Sequence, residues 1–312
     1  MPSQRLSCVT LSMVSLLCLP TLSGKELKRP RILGIDSVQI YVTDVAAETN
    51  FFRTMEIKEA CSIEKELYAQ AHYSMTGWCE WLPENSFLLD ALQAIRVSQM
   101  PQPAPKDLLK MITFSTNDIP ELRRYLVARG IIPSKRRKPD MAFTVVDPEG
   151  HVIGFREVNE LPSYQSPLVP LHIIHAGFIV RDRPAMEHFY KDILGFRPYW
   201  HGGMKDDETT WVSLQVPDGT DWLEFMLYDP TGKDKHFLGV MNHIALGVTD
   251  IHATQEQLRK NGAPLTEEPK IGRDGKWQLN LYDPDETRIE FMEFTPVQKP
   301  CCSEFTAPHP KP

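Results

Sequence analysis

Internal repetition is the feature that most limits what this chain can fold into. Four segments share one pattern: a short stretch of β-forming apolar residues, an Asp, then an amphipathic run. They begin at Asp36, Lys110, Ile174 and Asn242. The repeated acids are Asp44, Asp118, Asp182 and Asp250, spaced 74, 64 and 68 residues apart. An Asp in this place predicts the end of a strand and the start of a helix, because its carboxylate accepts from free N–H groups of the first turn. The runs that follow carry apolar residues at helical spacing, as in Ile119, Leu122 and Leu126, or Phe189, Ile193 and Phe196. A second motif recurs behind each helix. VVDPEGHVIGFRE from Val145, VPDGTDWLEFMLY from Val216 and LYDPDETRIEFME from Leu281 each place a Pro-acid turn between two strands. Gly150 and Gly219 suit turn positions with positive φ, whereas Glu286 stands less favourably in the last turn. The first unit has only a degenerate version, in WLPENSFLLDALQAIRV. Each unit therefore reads as a strand, a helix and about three strands.

Composition sets the remaining bounds. The chain has 312 residues, 42% hydrophobic and 24% charged, which excludes a largely disordered chain and a polytopic membrane protein. Its net charge of −7 argues against nucleic-acid binding, since phosphate contact needs clustered cations. Residues 1–24 read as a secretory signal peptide. Arg5 precedes an apolar run from Leu6 to Leu22, and Thr21 and Ser23 are small residues spaced for cleavage. The expected location is secreted or periplasmic, with no membrane contact after cleavage. Export would leave Cys61, Cys79, Cys301 and Cys302 in an oxidising setting. A Cys61–Cys79 bridge is compatible with that, and the adjacent Cys301 and Cys302 read as an incidental pair. Residues 161–170, LPSYQSPLVP, form a linker between units 31–160 and 171–296. The Pro-rich tail, 297–312, is expected to be loose.

Aligning the units exposes a candidate site. Seven residues before each Asp stand Ser37, Met111, His175 and His243. On the closing strands, Glu290 follows Pro284 by six residues and Glu224 follows Pro217 by seven, while Gly154 holds the matching place in the second unit. The third and fourth units thus each offer one His and one Glu. Two imidazoles and two carboxylates form a mixed N/O set suited to one divalent ion such as Zn, Ni, Co, Mn or Fe. Strand alternation puts Trp222, Met226 and Tyr228 on the face of Glu224, and Arg288 and Met292 on that of Glu290. Counting back across the last turn adds Asn280 and Gln278. Each of Trp222, Met226 and Met292 is read equally well as a core residue.

On these residues the chain resembles the vicinal oxygen chelate superfamily, which includes glyoxalase I, extradiol dioxygenases, fosfomycin-resistance proteins and bleomycin-binding proteins. The resemblance spans about residues 31–296. It implies an α+β fold of four βαβββ modules in two pairs, each pair a cupped mixed β-sheet with flanking helices. The ligand pattern of glyoxalase I maps onto His175, Glu224, His243 and Glu290. The C-terminal pair, 171–296, would then hold the metal, and the N-terminal pair, 31–160, would be a degenerate copy without one.

The implied activity is metal-dependent proton abstraction, isomerisation or lyase chemistry on a small oxygen-bearing substrate. Glu290 or Glu224 would move the proton, with Tyr228 beside them. Trp222, Met226, Gln278 and Asn280 would bind substrate. An alternative is ring cleavage by an extradiol-type dioxygenase, with His175, His243 and Glu290 as the iron triad. There Glu224 would add a fourth ligand, Asn280 would stand at the catalytic Tyr, and Tyr228 or His236 would replace the upstream His. A third reading is a non-catalytic protein that sequesters a small molecule. The site needs no second chain, so a monomer and a homodimer both satisfy it.

Overall fold

A computed structural model describes residues 27–59, 85–89, 93–135, 141–158 and 172–312. Residues 1–24, expected to be a leader, Cys61 and Cys79, and residues 161–170, expected to be a linker, lie outside the described residues. The fold is α+β, built on two mixed sheets of seven and eight strands.

The N-terminal sheet contains β1 (Ile32–Val42), α1 (Val45–Thr54), β2 (Lys58–Glu59), β3 (Ser86–Leu88) and β4 (Ala94–Gln99). It continues with β5 (Leu109–Thr116), α2 (Ile119–Val127), β6 (Ala142–Val146) and β7 (Val152–Glu157). The C-terminal sheet begins with β8 (His172–Ile179) and α3 (Arg183–Glu187), which runs on as a π-helix over His188–Ile193. Next come β9 (Arg197–Gly202), β10 (Trp211–Gln215), β11 (Trp222–Met226) and α4 (Lys235–Met241). The last unit is β12 (His243–Val248), α5 (Ile251–Lys260), β13 (Lys270–Ile271), β14 (Trp277–Tyr282) and β15 (Arg288–Glu293).

All four repeated Asp residues cap helices. Asp44 accepts from Ala46 and Ala47, Asp118 from Glu121, Asp182 from Ala185, and Asp250 from His252 and Ala253. The strand order is β2-β3-β4-β1-β5-β7-β6 in one sheet and β13-β14-β15-β12-β8-β11-β10-β9 in the other. In each unit the last strand runs parallel to the first, and the two first strands of a pair meet antiparallel. This topology brings β15, β12, β8 and β11 side by side at the centre of the C-terminal sheet. One hydrophobic core runs through both sheets, and Phe114 meets Phe196 edge-on across them with centroids 5.3 Å apart. Among the described residues no helix is long and apolar enough to cross a membrane.

Three expectations change. Gly150 has φ of 100° and Glu286 takes φ of 70° in the equivalent turn, but Gly219 is not at positive φ. Gly219 is needed for close approach instead, because a Cβ there would lie 1.8 Å from the Leu33 carbonyl oxygen. The tail is docked rather than loose. Thr306 N–H donates to the Tyr199 carbonyl, the Ser303 hydroxyl bridges both backbone groups of His201, and Trp200 Nε1–H donates to the Cys301 carbonyl. Cys301 and Cys302 are joined as a vicinal disulfide inside that segment.

The degenerate hairpin of the first unit is β3–β4, and its register supplies what alignment missed. Glu224 pairs with the residue two after His175, and Glu290 with the residue two after His243. The matching place in the first unit is Arg96, opposite Gln39. Arg96 and Arg156 both pair with the buried Asp36. A guanidinium has no lone pair to give a cation, so this position cannot ligate one.

Candidate metal centre

The four central strands each contribute one polar side chain to one face. His175 and His243 are fully enclosed, Glu290 is buried and Glu224 is partly so. The two Nε2 atoms lie 3.0 Å apart. Glu224 Oε2 stands 3.3 Å from His243 Nε2 and 3.9 Å from His175 Nε2. Glu290 Oε2 stands 3.6 Å and 3.7 Å from the same atoms. Ligand atoms of His175, Glu224 and His243 all lie within 4.8 Å of one another, close enough to hold a metal ion. With metal–nitrogen bonds of about 2.1 Å, both Nε2 atoms would be within reach of a single ion.

The electrostatics fit a cation. Burial pushes both imidazoles well below their ordinary pKa, and His243 and Arg288 push His175 further. Both rings are therefore neutral at pH 7, as a ligand must be. Burial also raises both carboxyls, taking Glu290 to about 7. His243 Nδ1 faces the Met241 carbonyl at 3.2 Å, which places the ring proton there and frees Nε2. His175 stacks on Trp222 with centroids 4.6 Å apart, and its buried Nδ1 meets no hydrogen-bond partner.

Gly177 makes this packing sterically workable. It pairs with both His243 and Glu224, and a Cβ there would lie 1.9 Å from His243 Cε1. Sequence reasoning passed over it, although a Gly inside a strand is a known sign of close approach.

The cluster opens onto a cavity of about 560 Å³. Every residue placed there by strand alternation lines it: Trp222, Met226, Tyr228, Gln278, Asn280 and, at the ligands, Glu224 and Glu290. So do Arg288 and Met292. Further parts of the wall, which strand alternation does not reach, include Tyr199, Trp200, Trp211, Phe237 of α4 and Phe305 of the tail. His236 turns elsewhere, hydrogen-bonding Glu286 at 2.9 Å, and does not line the cavity. Behind Trp222 lies a wholly buried Lys276, its Nζ 4.6 Å from that ring centroid and donating to the Tyr199 hydroxyl at 3.2 Å. Burial lowers its pKa to about 8.

Fold and site together define a protein with paired βαβββ units around a His/Glu cluster. The chain belongs to the glyoxalase/bleomycin resistance protein/dioxygenase superfamily, whose model matches residues 172–291. It is 34% identical over 125 residues to a lactoylglutathione lyase of Haemophilus influenzae, a match covering 39% of this chain and 93% of that protein. It is 29% identical to a probable lactoylglutathione lyase of Synechocystis sp., covering 39% and 95%. In fold it is similar to a variant of homoprotocatechuate 2,3-dioxygenase from Brevibacterium fuscum, with TM-score 0.59, 16% identity, and 90% and 74% of the two chains covered. The 2,3-dioxygenase LapB from Pseudomonas sp. KL28 gives TM-score 0.59, 15% identity, and 91% and 96% coverage.

Proposed function

We propose that this chain is a divalent-metal-dependent, glyoxalase-type enzyme that moves a proton on a small substrate carrying adjacent oxygens. The observation that carries the reading is the convergence of two neutral imidazoles, 3.0 Å apart, with the buried Glu290 and the partly buried Glu224 carboxylates. His175, Glu224, His243 and Glu290 would hold the ion, of the Zn, Ni, Co, Mn or Fe class. A bound ion would supply Lewis-acid polarisation of the substrate oxygens.

The protein's own groups do the rest. Trp222, Met226 and Met292 exclude water from the reacting carbon. Gln278, Asn280 and Tyr228 orient the substrate through hydrogen bonds. Glu290 or Glu224 accepts the proton and returns it, work that suits a carboxylate whose pKa burial has raised. A solvent-exchange assay tests this. The metal-loaded protein should wash deuterium from Cα of an α-hydroxy carbonyl substrate, and Glu290→Gln should slow that washout at least about 100-fold. S-lactoylglutathione belongs in the substrate panel because of the relatives' names. No washout with any substrate would defeat the reading.

Similarity of fold to ring-cleaving dioxygenases over most of the chain supports a second reading. Against it, Glu224 stands close enough to both imidazoles to take a position that catecholate or dioxygen would need. Oxygen uptake with catechols by the iron-loaded protein would favour it. The leader-like residues 1–24 support export. N-terminal sequencing of the secreted protein should then begin near Gly24, and an N-terminus at Met1 would remove that part of the proposal.

A further inference from the structure

The pocket halves are related by the same pseudo-two-fold that relates His175 to His243, and the places where they differ carry information about the substrate. Opposite Glu224 on β10 stands Ser213, and opposite Glu290 on β14 stands Asn280. Met226 and Met292 occupy equivalent places two residues beyond the ligands. Elsewhere the halves part. Two residues before Glu224 is Trp222, and two residues before Glu290 is Arg288. The partner of Met226 is Trp211, and the partner of Met292 is Gln278. One side of the cluster is therefore an aromatic wall, extended by Tyr199 and by Phe305 of the docked tail. The other side presents a guanidinium and two amides.

We infer that the cavity selects an amphipathic anion. In this assignment the substrate's adjacent oxygens meet the His/Glu cluster, a flat apolar group lies against Trp222 and Trp211, and a separate anionic oxygen group binds Arg288. The inference rests on the metal reading above and deepens it to a substrate class.

The unpartnered guanidinium nitrogen and the charge balance support an anion on the polar side. Arg288 Nε–H is buried and lines the cavity, with no hydrogen-bond partner among the described residues; the idle Asn280 Oδ1 beside it is an acceptor and adds nothing to the case for an anion. An idle buried donor of this kind is costly, and a ligand oxygen would satisfy the guanidinium. The charges also leave a positive surplus there. Glu267 and Lys270 neutralise each other at 2.8 Å, and Arg273 at the rim pairs with Asp206. On the aromatic side Lys276 lies near Asp274. Arg288 comes within ion-pair distance of Glu290, at 3.7 Å, and the two Glu carboxylates would be balanced by a divalent ion. Its charge is thus left for a ligand.

The test uses the full metal-loaded chain and two hydroxamate probes whose C=O and N–O oxygens chelate. N-benzyl-N-hydroxysuccinamate carries a benzyl group on one side and a carboxylate on the other; its methyl ester removes only the charge. Binding is read by calorimetry and by quenching of tryptophan fluorescence. The acid should bind at least about tenfold tighter than the ester. Arg288→Gln should bring the two within about twofold while metal content and ester affinity hold, and Arg288→Lys should keep part of the preference. Trp222→Ala should weaken both probes by a similar factor. Equal affinities in the wild-type chain, or a preference that survives Arg288→Gln, would overturn the inference and leave the metal reading standing. Failure of both probes together with absence of stoichiometric metal would overturn the two at once.

Discussion

Gly177→Ala is a one-methyl perturbation of the candidate centre that leaves every ligand in place. The new Cβ would fall 1.9 Å from His243 Cε1, 2.4 Å from Nδ1 and 2.7 Å from Nε2. Carbon atoms settle at about 3.5 Å or more, so the ring has to retreat by about 1.5 Å. Metal bonds tolerate about 0.2 Å. His243 therefore cannot stay a ligand, and affinity for the ion should drop at least about 100-fold. By linkage, stabilisation by saturating metal then falls by about 2.7 kcal/mol. The apo-protein should lose a further ~1–3 kcal/mol from overpacking, and melting it without metal separates that effect. Competition with a chromogenic chelator gives the affinity directly. If Gly177→Ala binds metal within about threefold of wild type, the geometry argued for His243 is wrong.

Metal affinity should decline as pH falls below about 7, because burial holds the Glu290 carboxyl near that value and its proton has to leave before it ligates. Chelator competition between pH 5.5 and 7.5 checks this, and a flat profile would contradict it. Glu224→Gln should weaken metal binding more than Tyr228→Phe, which should leave it unchanged while reducing turnover; metal analysis beside kinetics separates the two. Removing the tail with Phe305, which packs on Tyr199 at 4.9 Å, should cost ~1–3 kcal/mol in denaturant titrations. Lys276→Ala should cost at least as much, since it strips a buried cation from its ring and hydroxyl partners.

The parts legible in the sequence were those that depend on local order along one strand or turn. Each Asp announces a helix through its own first turn, and a period of two residues suffices to put Trp222, Met226 and Tyr228 beside Glu224. The parts that stayed hidden depend on contacts between distant segments. Gly177 matters only because β12 lies beside β8 and aims His243 across it. Arg96 takes a ligand's place through pairing with β1, which no Pro-acid turn marks. Gly219 looks like a turn glycine, yet it is held to its size by Leu33 from the other sheet. The tail has the composition of a loose segment, but its backbone and its Ser303 and Thr306 side chains find partners on β9 about a hundred residues earlier. Lys276 reads as a surface cation until Tyr199 and Trp222 close over it.

One metal centre formed by His175, Glu224, His243 and Glu290 would carry the proposed chemistry. Elemental analysis of the purified full chain, after exhaustive dialysis against each candidate ion, tests it most directly. One divalent ion per chain is expected, lost on His175→Ala combined with His243→Ala. No stoichiometric metal, or metal unchanged in that double variant, would contradict it.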